Sequence, residues 1–192
     1  MDTVLFVAVW LFAATNLDTL IVISAFCADN DYHLREVFVG HYVSFCLGLA
    51  GAVLGALLAA ELLDGWAFLL GGIPLGLGLW GLLGQPPEVT VEASPVVSNP
   101  VGRTGVVAIA GIGLSGENIA VYIPFFADLS HSELAVVIGV YLVGAGVVFF
   151  ASLLAVYRVA TDGISDRLDR WLVPSVLVVI GIYVIVTGLF VG

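Results

Sequence analysis

Lysine is missing from this chain altogether, and five arginines are the only fixed positive charges against 15 acidic residues in 192. A formal net charge of -10 excludes nucleic-acid partners and anionic surfaces, whose binding depends on clustered positive charge. Charged residues of both signs make up only 10% of the chain, whereas 61% is hydrophobic and the mean hydropathy is +1.16. A chain with so little to offer water is an integral membrane protein. Cysteine is scarce as well. Cys27 and Cys46 do not occupy equivalent places in the two halves of the chain, which argues against a disulfide framework or a paired redox centre. No HExxH, Ser/His/Asp set or cofactor motif occurs, so neither an enzyme nor a resident cofactor is expected. The N-terminus has no basic region and no small-residue cleavage site, and the first apolar segment is expected to stay in the mature protein.

What is abundant is long apolar runs. A spanning helix needs about 20 predominantly apolar residues, and six runs qualify, near 3–28, 36–60, 66–84, 104–127, 132–156 and 171–191. The third is dense in glycine, from Gly71 and Gly72 through Gly76, Gly78, Gly81 and Gly84, as suits helices that approach closely. Residues 85–103, rich in Pro, Ser, Glu and Val, read as a solvated linker between a first half, 1–84, and a second, 104–192. Arg35, Arg103, Arg158, Arg167 and Arg170 follow the first, third and fifth runs, so they share one side; the opposite loops carry no Lys or Arg. The positive-inside rule places those arginines in the cytoplasm and both termini outside a plasma membrane crossed many times.

Three spans per half is an odd number, so the second half enters the membrane from the other side. Shifting the numbering by 99 carries Asp18-Thr19-Leu20-Ile21 onto Glu117-Asn118-Ile119-Ala120, Phe26 onto Phe125, and Gly40-His41-Tyr42 onto Gly139-Val140-Tyr141. The expected fold is therefore all-α, six transmembrane helices arranged as two inverted three-helix repeats. Many secondary transporters are built this way, with the substrate held near the midplane between the repeats.

Asp18 and Glu117 are the acids deep inside these spans. An ionisable group at the bilayer centre costs at least about 2.5–3.5 kcal/mol, and such residues mark ion and proton pathways. At 1.5 Å per residue both lie roughly 20 Å into their spans, near the midplane. On an unbroken helix Thr15, Asp18, Thr19 and Val22 share a face bordered by Asn16, and Ser115, Glu117, Asn118 and Tyr122 form the matching group. Gly116 and Pro124 predict a kink or unwinding close to the second acid, because proline frees the carbonyl of Ala120. Two carboxylates brought together cannot both stay charged without a partner. A divalent cation satisfies them and so do protons, which amounts to an exchange mechanism. Asp18, Glu117, Asn16, Asn118, Thr19 and Ser115 are the candidate metal ligands, a set of oxygens suited to manganese, calcium or magnesium. As mere helix glue these acids would gain about 0.6 kcal/mol per hydrogen bond, less than their insertion cost. His41, Tyr42, Tyr122 and Tyr141 are candidates for proton transfer or for lining the path, with plain packing the alternative. Cys27 and Cys46 read as small buried hydrophobes, and His33 and His131 as loop residues.

The stretches Phe12-Ala13-Ala14-Thr15-Asn16-Leu17-Asp18-Thr19 and Gly116-Glu117-Asn118-Ile119-Ala120-Val121-Tyr122-Ile123-Pro124-Phe125-Phe126-Ala127 resemble the paired motifs of cadmium-resistance transporters of the CadD type, within the lysine-exporter superfamily. The resemblance extends to the Gly72-Ile73-Pro74-Leu75-Gly76 and Gly181-Ile182-Tyr183 runs. Glu117 stands where the family pattern has an aspartate. The resemblance implies export of cadmium or a similar heavy metal, with the bilayer, a divalent cation and protons as partners; a homodimer is compatible with it. Cadmium prefers thiolates, whereas the midplane groups are hard oxygens, so the ion stays open among cadmium, manganese, calcium and zinc. Two other readings compete. An amino-acid exporter of the same superfamily would have its substrate's carboxylate repelled by the second acid, and a membrane thiol-disulfide carrier needs a reactive cysteine in each half.

Overall fold

In the computed structural model the described residues are 2–62 and 99–159, with single positions between 72 and 83 and between 178 and 185; for 117, 158 and 159 the backbone alone is described. The expected third and sixth spans, most of the linker and the loop with Arg167 and Arg170 lie outside them. The described chain forms helices α1 (Asp2–Thr15), α2 (Leu17–Ala28), α3 (Leu34–Leu62), α4 (Pro100–Ala127) and α5 (His131–Val159), and no strand occurs among these residues. Two helices, α3 and α5, are each long and apolar enough to cross a membrane; α1 with α2, and the two segments of α4, raise the number to four if each bent pair is one span. At 29 residues, α3 is about 44 Å long, more than the roughly 30 Å of hydrocarbon it has to cross.

Two expected boundaries move. The first apolar run is not one helix: it breaks at Asn16, and the axes of α1 and α2 differ by 50°. The shared face drawn on a continuous helix is therefore divided, with Thr15 closing α1 and Asp18 and Thr19 opening α2. Residues 100–103, assigned to the linker by composition, are the first turn of α4. The local sequence explains it: Asn99 caps the helix by accepting from the Gly102 N–H at 2.6 Å, and Pro100 occupies the first helical position, where its missing N–H costs nothing.

The directions of the helices follow from side-chain contacts. Arg103 grips Glu36 with two bonds of 2.7 Å, from Nε and Nη2 to the two carboxylate oxygens, and so ties the N-terminal ends of α3 and α4 together. Further along, Gly40 lies against Thr104 and Val107, Gly48 against Ser115, and Gly55 against Ile123, so the two helices run parallel. Their approach is close because α3 lacks side chains there. A Cβ at Gly40 would stand 2.7 Å from the Thr104 carbonyl oxygen and from Val107 Cβ, and one at Gly111 would collide with Ser44. The α1/α2 arm runs parallel to α5 in the same sense, with Phe12 against Gly144 and Ser24 beside Ser152. His41 and Tyr42 of α3 bond to the carbonyls of Ala145 and Leu142 on α5, while Phe38 meets Phe149, so α3 and α5 are antiparallel.

The apolar interior is in two parts. One joins Leu11 and Phe12 to Phe45, Leu49, Val121, Phe125 and Tyr141; the other joins Val22, Ile23 and Phe26 to Val37, Val107 and Phe149. The break at Asn16 falls between them, in a layer holding the buried polar residues Thr15, Asn16, Thr19 and Asn118. Replacing Gly40 by alanine should force α3 away from α4 and lower stability by roughly 1–3 kcal/mol, read as a drop in the melting temperature of the purified protein. Gly139→Ala, whose Cβ would meet nothing within 4 Å, should leave the melting temperature unchanged.

Candidate functional site

A helix that stops inside a bilayer leaves backbone groups that lipid cannot satisfy, each at a cost of several kcal/mol. Here the residues at the break supply the partners themselves. Asn16, with φ -115° and ψ 15°, stands at the capping position of α2 but makes no side-chain cap. Its amide turns back instead, and Nδ2 donates to the Phe12 carbonyl at 2.9 Å. Thr15 Oγ1 donates to the Leu11 carbonyl at 2.9 Å. On the α2 side, the Thr19 N–H donates to Asp18 Oδ1 at 2.7 Å, with the Thr19 hydroxyl 3.4 Å from the same oxygen. Asp18 in the first turn of α2 also places a carboxylate at the positive end of the helix dipole.

The second half reaches this break through Tyr122. Its hydroxyl is 2.8 Å from Thr15 Oγ1 and 2.9 Å from Asn16 Nδ2, and Asp18 lies within electrostatic reach of it. The ring is buried against Phe126 and Tyr141. Ser115, Asn118 and Tyr122 line one side of a cavity of about 10 Å³, closed from α3 by Phe45, Gly48 and Leu49. That is room for about one water or one bare ion. Ser115 gives its hydroxyl hydrogen to the Gly111 carbonyl at 2.8 Å, and Asn118 is buried in the same wall.

The second bent pair divides at residue 117, where the segments Pro100–Gly116 and Asn118–Ala127 meet at 57°. The bend thus coincides with the second acid and follows Gly116, while Pro124 lies inside the helical segment, seven residues further on. The Glu117 side chain is outside the described residues. Of the expected ligands, Asn16, Asp18 and Thr19 lie at the break and Ser115 and Asn118 in the cavity wall, with Tyr122 touching both groups. Among the path candidates, only Tyr122 bonds to the break. His41, 2% exposed, and Tyr42 link α3 to α5. Tyr141 packs on Tyr122, Phe12 and Phe126, and its buried hydroxyl has no partner among the described residues. Cys46 is exposed and Cys27 half-buried on the second core. No cluster of three His, Cys, Asp or Glu side chains occurs among the described residues.

Two contacts escaped the reading of the sequence. Thr15 was placed on the site face, but its bond to Tyr122 was not foreseen; Thr-Asn followed by an acid in an apolar run is itself the signal of a break that satisfies its own backbone. Glu36, an acid opening an apolar helix, had its partner in Arg103, a lone arginine opening another.

Comparison with protein families decides the class. The family model described as cadmium resistance transporter matches residues 12–190, nearly the whole chain and both of its helix breaks. The protein belongs to that family. No curated protein and no solved structure matches it. Membership in the cadmium resistance transporter family, with its apolar helices, makes it a multi-pass protein of the cell membrane that moves a metal ion. Within that family frame, the Thr15 hydroxyl belongs to the scaffold of the break. Thr15→Val should cost about 1–3 kcal/mol, since it leaves the Tyr122 hydroxyl hydrogen without an acceptor, and Thr15→Ser should restore most of it; thermal melting of both purified variants measures the difference.

Proposed function

We propose that the protein exports divalent metal cations, cadmium or a related ion, in exchange for protons at a midplane site. Asp18 and Glu117 carry the charge, and Asn16, Thr19, Ser115 and Asn118 complete an oxygen cage. The observation that carries this reading is the direction of the hydrogen bonds at the Asn16 break. The amide hydrogens of Asn16 go to Phe12 and Tyr122, and the hydroxyl hydrogens of Thr15 and Ser115 go to their own helices. With those donors spent, Asn16 and Ser115 have only acceptor positions left to offer. A cation needs acceptors, whereas an amino-acid carboxylate needs donors, which disfavours an amino-acid exporter. A thiol-disulfide carrier is disfavoured by the exposed Cys46 lying on a different helix from Cys27, with no counterpart in the second half.

The six-span inverted repeat is supported by the packing. α3 and α4 run the same way, with their N-terminal ends tied together by Glu36 and Arg103, as an odd number of spans per half requires. Exchanging the halves turns the α3–α4 pair into the α5–α1/α2 pair, and both pairs are parallel. Each half also begins with a bent pair whose break lies at or within two residues of its acid. In this reading 1–84 and 104–192 are the two repeats, the arginine-bearing loops are cytoplasmic and the termini lie outside.

Exchange follows from burial. With metal bound, the two carboxylates are charged and compensated; without it, they are protonated while access to the site switches back to the loading side. Lower pH on the loading side should therefore weaken apparent metal affinity. Asp18→Asn and Glu117→Gln should each abolish metal tolerance in a sensitive host and metal-driven proton flux in proteoliposomes. Wild-type tolerance and flux in both variants would reject the site.

A further inference from the structure

Tyr122 is the one described residue of the second half whose side chain bonds to the break in the first span, and the hydrogens at that junction can be counted. The Phe12 carbonyl can only accept, so the Asn16 atom facing it is the amide nitrogen. The second amide hydrogen goes to the Tyr122 oxygen at 2.9 Å. The single hydrogen of Tyr122 then goes to Thr15 Oγ1 at 2.8 Å, and that of Thr15 to the Leu11 carbonyl. The chain closes with no spare hydrogen. It holds the amide plane by two bonds from one nitrogen, and Asn16 Oδ1 accepts nothing among the described residues.

We infer that Tyr122 is a positioning residue that selects for hard, oxygen-preferring cations, because it holds the Asn16 amide with its oxygen offered to the ion and both N–H groups withdrawn. This rests on the metal site proposed above. It assigns the tyrosine neither to the ion's path nor to proton transfer. Without the hydroxyl, the amide hydrogen it held is left with only the longer contact to Thr15 Oγ1 at 3.3 Å, and the amide is freer to turn about its terminal bond, presenting N–H to a cation. An ion that depends on hard oxygen ligands loses more by that rotation than one content with softer or fewer ligands. Removal of the hydroxyl therefore changes which metal is preferred.

The test uses the full-length protein in phosphatidylcholine–phosphatidylglycerol vesicles with an imposed pH gradient, measuring initial rates against Mn²⁺ and Cd²⁺ concentration. In Tyr122→Phe the KM for Mn²⁺ should rise about tenfold and that for Cd²⁺ clearly less, with maximal rates within about twofold of wild type. Tyr42→Phe serves as control, since it removes a hydroxyl bonded to the Leu142 carbonyl away from the break; its Mn²⁺ to Cd²⁺ ratio should stay at the wild-type value. A Tyr122→Phe ratio equal to that of wild type, or a shift matched by Tyr42→Phe, overturns the assignment while leaving the metal site standing. Asp18→Asn, measured alongside, separates the two failures: transport at the wild-type rate in that variant removes the site and this inference with it. Should Tyr122→Phe fail to accumulate, Asn16→Gln, which keeps the amide but displaces it by a methylene, should show the same shift in ratio, and an unchanged ratio there overturns the inference equally.

Discussion

A peptide group without a hydrogen-bond partner is costly in hydrocarbon, and a helix interrupted at Asn16 creates several such groups at once. The structure answers with the nearest side chains. Phe12 and Leu11 carbonyls are covered by Asn16 and Thr15, and the Thr19 N–H by Asp18. The polar side chains of the first span follow from that requirement, including the order in which Thr15, Asn16 and Asp18 occur in the chain. Once the break is closed, its donors are spent and what faces the interior is oxygen. The same necessity leaves the proposed ligands Asn16 and Asp18 with oxygen atoms to offer.

The two apolar cores make the interruption tolerable. Leu11, Phe12 and Tyr141 anchor α1 on one side, Val22, Phe26 and Phe149 anchor α2 on the other, and the 50° change of axis is accommodated between them. The rigid partner is the α3–α4 pair. Its glycines allow backbone contact, and the Glu36–Arg103 bonds close one end. The α1/α2 arm and α5 contact each other less intimately, through isolated serines and the Phe12 ring.

Much of this was legible in the residues. Asp18 and Glu117 stand out because acids in apolar runs are rare, and the runs 36–60 and 132–156 became α3 and α5 with one to three residues added at each end. The break at Asn16 was not legible as a break. Helical periodicity cannot distinguish a continuous face from two half-helices, and it gives no sign that the Asn16 amide nitrogen is committed to the Phe12 carbonyl. The start of α4 was misplaced because Pro100 suggests a loop by composition, although next to Asn99 it is a helix start. Tyr122 was recognisable as a neighbour of the second acid, but its reach to Thr15 and Asn16 spans more than a hundred positions and depends on packing that no local pattern encodes.

The clasp between Glu36 and Arg103 also sets a schedule for biogenesis. The two residues are 67 positions apart, and a ribosome adding about 5–20 residues per second needs roughly 3 to 13 s to pass from one to the other. During that interval α3 has emerged with its glycine-lined groove empty and its leading carboxylate held only by the His33 N–H. The opening segments therefore wait in the insertion machinery or in lipid for a companion not yet synthesised, and the transporter matures by docking of late helices onto early ones.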